Sequence, residues 1–370
     1  MLSTGHIVTP RHLQHFAASA IANKGDAYLN REPPMSFLTR ILSGTALALS
    51  LGAAALPVSA AEYRIAVGDG AGGTQEALGK AFVAALEEKS GGKMTGKLFL
   101  NGQLGDEQDT VTAAATGTLD FSILAINNIT PFSPTVGTLT LPYVILSQED
   151  AEKVTQGEIG RQMVDQTVED AGVRIIGWAY SGFRVLTNSK KPIATVADLQ
   201  GVVVRVPKNE IMIETYKSWG INPTPMAWGE TFAALQQKVV DGQDNPYMTV
   251  NAMKFYEVQK YVTNLRYLFS IEPLIVSEAL FQSLSPEEQQ QVLEAGQEAT
   301  QVSAQFLRDQ ENKIKEELVG RGMEITEPAD EEKEFIELAT TKVWPKFYDQ
   351  IGGKEVLDGV LTSLGRDPVE

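Results

Sequence analysis

Residues 182–207, GFRVLTNSKKPIATVADLQGVVVRVP, constrain the fold more than any other stretch. They read as strand, turn, short helix and strand. A β-rich run from Phe183 to Thr187 is broken by Lys190-Lys191-Pro192, and residues 196–199 make one helical turn. Gly201 then resets the chain before 202–206, an apolar run of the kind buried in a parallel sheet. Each strand carries one arginine, Arg184 and Arg205, among core-type residues. A guanidinium keeps its proton and is costly to bury alone, so the two either share one anion or each meet a separate Asp or Glu.

The sequence beyond residue 60 follows the same plan. A strand at 63–67 leads into the loop GDGAGG at 68–73. A helix at 75–89 follows, with Thr74 as its expected N-cap and Leu78, Phe82, Ala85 and Leu86 on one face. Next come a strand at 96–100, a helix at 106–116 and a strand at 119–125. Strand alternating with helix at this spacing predicts an α/β fold with mostly parallel sheet, and the chain is long enough for two such domains. Further helices are expected at 148–168, from 207 through Trp219, at 231–240 and at 330–348, with a strand at 173–179. Ser285-Pro286-Glu287-Glu288 starts a helix by N-cap, proline at the first position and Glu at the third. After Pro286 no further proline occurs up to residue 319, and 286–319 at about 1.5 Å per residue is about 50 Å long, enough to brace two domains.

Residues 1–34 are polar and irregular, unlike the rest of the chain. From Met35, Arg40 supplies a positive start, 41–56 an apolar segment and Val58-Ser59-Ala60 a small-residue cleavage site. The apolar segment is too short to span a membrane comfortably. Met35 is therefore expected to be the true start and Ala61 the first mature residue of a protein exported to the periplasm. All three histidines (His6, His12, His15) precede that leader, and the sequence contains no cysteine. Disulfides, thiolate or imidazole metal sites and Ser-His-Asp or Cys-His catalysis are thereby removed from the exported chain, and no cofactor is expected. The enzyme reading that remains is paired-carboxylate glycoside hydrolysis. Acidic residues outnumber basic ones by 47 to 31, a net charge of −16 that repels nucleic acid and anionic lipid.

GDGAGG matches the dinucleotide pattern G-x-G-x-x-G, but the second strand ends at Asn101, where an acid would hold a ribose. What remains is a set of backbone N–H groups at a helix start, facing the strand ends where α/β ligands bind. Asp69 in this loop either accepts hydroxyl hydrogen bonds from a ligand or shapes the turn. Asn245 is held extended by Pro246, and its amide either caps locally or reaches a ligand.

Several blocks together resemble one family. They are GFR…KPI…ADLQGVVVRVP, MAWGETFAALQQKVVDGQDNP and SPEEQQQV with its long helix, preceded by EKSGGK, FLNGQLGDE and GTLDFS. In order and spacing they resemble the substrate-binding proteins of TRAP (tripartite ATP-independent periplasmic) transporters, the DctP family. The resemblance implies a two-lobed periplasmic-binding-protein fold, each lobe a mostly parallel sheet flanked by helices and the lobes joined by crossing strands. The first lobe would hold 61–181 and 271–310, the second 182–270 and 321–370, with helix 286–319 bridging them. It also implies a cleft that closes on a small organic acid, and the membrane permease subunits of an importer as partners. A monomer without nucleic-acid contact or membrane insertion is expected; a ligand sensor would share the site and differ in partner.

By the same resemblance, Arg205 matches the arginine that pairs with the substrate carboxylate, and Arg184 the second arginine near it. Asn245 matches the asparagine that hydrogen-bonds that carboxylate, and Trp228 an aromatic packing on the ligand. On the other side, the loops 68–73 and 125–128 offer no Lys, Arg or His. Asp69 and Asn127, with Asn128, suit hydroxyls, which favours a hydroxylated monocarboxylate such as a sugar acid. Trp178, Trp228 and Tyr247 would instead line an apolar slot for a 2-oxo or aromatic acid. A C4-dicarboxylate or a sulfonate would also bring an anion to the two arginines.

Overall fold

Val173–Asn188 forms one strand of 16 residues where the sequence pattern gives two. Gly182 does not end it because its φ of +89° is absorbed in a β-bulge between Tyr180 and Gly182. The computed structural model describes residues 60–369; the upstream segment 1–34 and the leader up to Ser59 lie outside the described residues.

The strands are β1 (Ala61–Val67), β2 (Met94–Phe99), β3 (Phe121–Ile123), β4 (Val173–Asn188) and β5 (Val204–Val206). They continue with β6 (Thr224–Pro225), β7 (Gly242–Pro246), β8 (Tyr261–Thr263), β9 (Phe269–Ser277) and β10 (Glu324–Thr326). Their order is β2-β1-β3-β9-β4-β7-β5-β6, with β8 added to β4 and β10 to β8. Parallel pairing holds where helices cross over, in β2-β1-β3, β7-β5-β6 and β8-β10. The strands shared by both halves pair antiparallel: β9 with β3 and β4, and β4 with β7 and β8. From Val173 to Phe183, β4 runs along β9; from Arg184 to Asn188 it runs along β7. One strand thus serves both halves of a mixed, two-lobed α/β fold.

Each half has its own buried cluster. Ile65, Leu78, Phe82, Phe121 and Leu274 fill one, and Leu186, Val204, Tyr216, Trp219, Tyr267 and Phe335 the other. The long helix runs from Pro286 to Gly320, with the Ser285/Glu288 capping box formed. It touches both ends of the molecule: Glu298 pairs with Lys89, Arg308 with Glu152, and Lys315 lies over the Tyr247 ring. At its middle, the Gly296 backbone lies against β4 so closely that an added Cβ would meet the Ile176 carbonyl oxygen at 2.1 Å.

Several expected boundaries move. Thr74 is the first helical residue, capped by Gly73, because its hydroxyl is drawn instead to Ser181 and Glu272. The expected helix 148–168 is two, Gln148–Thr155 and Glu158–Ala171, since a Cβ at Gly157 or Gly160 would strike backbone carbonyls of the first. The final expected helix begins only at Lys333, after Asp330, Glu331 and Glu332 in left-handed backbone, and is broken at Val343 into Lys333–Lys342 and Trp344–Phe347, with Pro345 in the first turn of the second. Helix 231–240 stops at Gln236, and Lys238 turns left-handed.

Gly296→Val should destabilise by about 1–3 kcal/mol through overpacking against β4. Urea unfolding compared with the wild type measures this; an unchanged midpoint would show that the helix can lift off the strand without cost.

Candidate functional site

Arg184 and Arg205 line one void, together with Asp69, Gln75, Glu107, Ala125, Asn127, Asn128, Pro207, Trp228, Asn245 and Glu272. Arg184 sits where β4 leaves β9 for β7, and Arg205 at the centre of β5, so each is 2% exposed. Their surroundings differ. Arg184 donates from Nε to Asp244 Oδ2 at 2.8 Å and from Nη2 to the Asp244 carbonyl, and Tyr267 donates to the same Oδ2. Burial alone would pull its pKa down; Asp244 reverses this and raises it above the ordinary arginine value. Arg205 donates only to the Met226 carbonyl, at 3.1 and 2.7 Å, and faces the Trp228 ring at 5.5 Å. No carboxylate among the described residues lies within ion-pair distance of it. Burial and the like charge of Arg184 push its pKa down to about 10. Of the two readings open in the sequence, Arg184 fits the ordinary salt bridge and Arg205 the guanidinium without an acid of its own.

The facing wall is acidic. Asp69 accepts from Thr249 Oγ1 at 2.9 Å, and its own N–H bonds Gln75 Oε1. Glu107, at the start of helix Glu107–Ala115, accepts from the Ala125 N–H at 3.0 Å and from the Asn128 amide. Glu272, in β9, accepts from Thr74 Oγ1 at 3.1 Å. Burial, then the charge of Asp69, lifts Glu107 to about 8, and Glu272 is raised for the same two reasons. Burial also raises Asp69, against the hydrogen bond from Thr249.

The two halves touch around the void. Asn209 donates to the Asn127 carbonyl at 3.0 Å, the Trp228 indole to the Gly68 carbonyl at 3.2 Å, and the Gly229 N–H to Asp106 at 3.2 Å. Asn245 donates to Gln243 Oε1 at 2.6 Å, a local bond, while its side chain still lines the void.

Seven of the nine residues singled out in the sequence therefore come together: Arg205, Arg184, Asn245, Trp228, Asp69, Asn127 and Asn128. Trp178 does not. It lies beside Thr300 of the long helix, in a separate depression of about 550 Å³ that Val164 and Leu293 also line. The bulge between Tyr180 and Gly182 inserts one residue between Trp178 and Arg184 and inverts the strand's alternation, so the two side chains leave on opposite faces. Tyr247 also stays away, bonded to Asn264. The sequence reading missed Glu107, Glu272, Gln75 and Asp244. Glu272 had a visible signal: a lone acid in the apolar run FSIEPLIV, the counterpart of Arg205 in VVVRV.

A mixed two-lobed α/β fold with a charged void between its halves defines a class of solute-binding proteins. Residues 71–351 match the model of bacterial extracellular solute-binding protein, family 7 (DctP), and the chain belongs to that family. The 2,3-diketo-L-gulonate-binding periplasmic protein YiaO of Escherichia coli is 29% identical over 70% of this chain and 78% of its own. Two of the similar solved structures hold galactonate. A TRAP periplasmic solute binding protein of Roseobacter denitrificans with bound L-galactonate has TM-score 0.76 and 28% identity over 81% of this chain and 98% of that one. The sugar acid binding protein DctPAm of Advenella mimigardefordensis, in complex with galactonate, has TM-score 0.79 and 27% identity over 83% and 98%. Among the described residues, no helix is long and apolar enough to cross a membrane.

The contrast between the arginines has a measurable consequence. Arg184→Met leaves Asp244 buried and unpaired and should cost about 3–5 kcal/mol in urea unfolding; Arg205→Met, which orphans no acid, should be neutral or stabilising. Equal losses would contradict this assignment. Glu107 binds its proton more tightly folded than unfolded. Its contribution to stability is thus complete below about pH 4.5 and lost as pH rises through about 8. Melting curves from pH 5 to 8.5 should show the wild type losing stability relative to Glu107→Gln.

Proposed function

We propose that this protein is the extracytoplasmic binding component of a TRAP importer, and that it captures a sugar acid by its carboxylate. Arg205 carries the reading: a buried, fixed guanidinium with no acid of its own, backed by Trp228, at a void between two halves. A carboxylate fits its planar fork through two parallel charge-assisted bonds, with Arg184 adding charge and Asn245 an amide. The void measures about 20 Å³, the space of about one water, so a sugar acid enters only when the halves part and is enclosed when they close. The sugar acids bound by the similar proteins support this substrate class.

In this reading residues 61–181 and 271–310 form the first lobe and 182–270 and 321–370 the second, with the long helix bridging them. The protein works in the periplasm after removal of a leader, as a monomer that delivers its ligand to membrane permease subunits and catalyses nothing. Family membership supports a binding role outside the cytoplasm.

Calorimetry with D-galactonate, L-galactonate, D-glucuronate and 2,3-diketo-L-gulonate tests the substrate class. Arg205→Ala should weaken binding of whichever acid binds by about 100-fold or more, since each bond to a charged group is worth about 1.5–3 kcal/mol. Undiminished affinity in that variant would refute the role of Arg205.

A further inference from the structure

Four carboxyls surround the two guanidinium groups, and they are not equivalent. Asp244 balances Arg184, which leaves Arg205 as the cation available to a ligand anion. Asp69, Glu107 and Glu272, which are 3%, 6% and 2% exposed, line the same void and meet no cation at ion-pair distance among the described residues. Asn127 lines it too, 3% exposed, and its Nδ2 has no hydrogen-bond partner among the described residues. An unpartnered buried donor is costly, and a ligand hydroxyl would satisfy it.

Ligand charge is therefore read twice. One carboxylate replaces the acid that Arg205 lacks. A second would face three carboxyls and a lone amide in a dry site where like charges repel strongly. We propose that Glu107 and Glu272 make the site selective for acids with a single carboxylate, rejecting the diacid of the same carbon skeleton. This rests on the solute-binding reading above and specifies its substrate.

The groups around each acid are consistent with that role. Glu107 faces the Ala125 N–H, the Asn128 amide, Asp69, Asp106 and Arg205; Glu272 faces Thr74, Ser181, Asp69 and Glu107. Their carboxyls are pushed upward chiefly by burial, so both retain protons in mildly acidic solution and can then donate to a ligand oxygen. A second ligand carboxylate is tolerated while those protons are held and repelled once they leave. The monoacid, which meets this wall with hydroxyls, lacks that dependence.

The test is calorimetry on the wild-type protein, Glu107→Gln, Glu272→Gln and the double variant. The probes are two matched pairs, D-galactonate with galactarate and D-glucuronate with D-glucarate, at pH 6 and pH 8.5. Expected is a monoacid preference above tenfold at pH 8.5 that narrows at pH 6 and in the variants, read as the ratio of the two affinities within each protein. Equal affinity within both pairs overturns the inference and leaves the solute-binding reading standing. So does a preference that neither pH nor the double substitution changes. If circular dichroism shows the variants unfolded, the wild-type pH series alone decides, and a constant ratio between pH 6 and 8.5 overturns the proposal. Absence of binding by any of the four probes to the wild type refutes the sugar-acid reading together with this one.

Discussion

The antiparallel ladder between β4 and β9 is the constraint on which the other features depend. It sets Ala179 opposite Glu272 and Phe183 opposite Phe269, and β4 then changes partner so that Arg184 lies opposite Pro246. Both halves hang from this pair: β3 joins through β9, and β7 and β8 through β4. The long helix lies along the ladder, seated by two glycines, Gly177 and Gly296, that face each other with no space for a side chain. The ladder places Arg184 and Glu272 on adjacent strands, where Asp244 of β7 pairs with the arginine and Thr74 donates to the glutamate.

The charge pattern follows from that geometry. The protein is strongly acidic overall, yet its centre carries two guanidinium groups that cannot shed their protons. One is neutralised by Asp244 in the next strand, fastened by Tyr267; the other rests on a carbonyl and an indole. Across from them burial and the charge of Asp69 make ionisation of Glu107 and Glu272 costly. The site thus sets a cation on one side against acids that resist ionisation on the other.

Much of this was legible in the sequence. The apolar run VVVRV and the arginine of GFRV marked two residues that line the void, and the capping box at Ser285 marked the long helix to within one residue of its end. What could not be read was contact between distant segments. Thr74 looks like an N-cap in isolation, and only the approach of Ser181 and Glu272 makes it something else. Trp178 shares strand parity with Arg184 on paper, and a single bulged residue places it elsewhere. Asp330-Glu331-Glu332 reads as a helical start, yet Glu332 is claimed by Tyr143 and the Arg266 N–H, which pulls the backbone out of the helical region. In each case a tertiary partner outweighed a local preference.

The chain order of the β4–β9 ladder also bears on how the protein folds. β1, β2 and β3 are complete by Ile123, but the strand that covers their open edge begins at Phe269, and the helix seated on the ladder ends only at Gly320. Neither half can finish its sheet from a contiguous piece of chain, so closure of long loops precedes most of the native burial. Such a topology belongs to the slower part of the folding-rate range, and it leaves the edge of β3 unpaired until most of the polypeptide has been made.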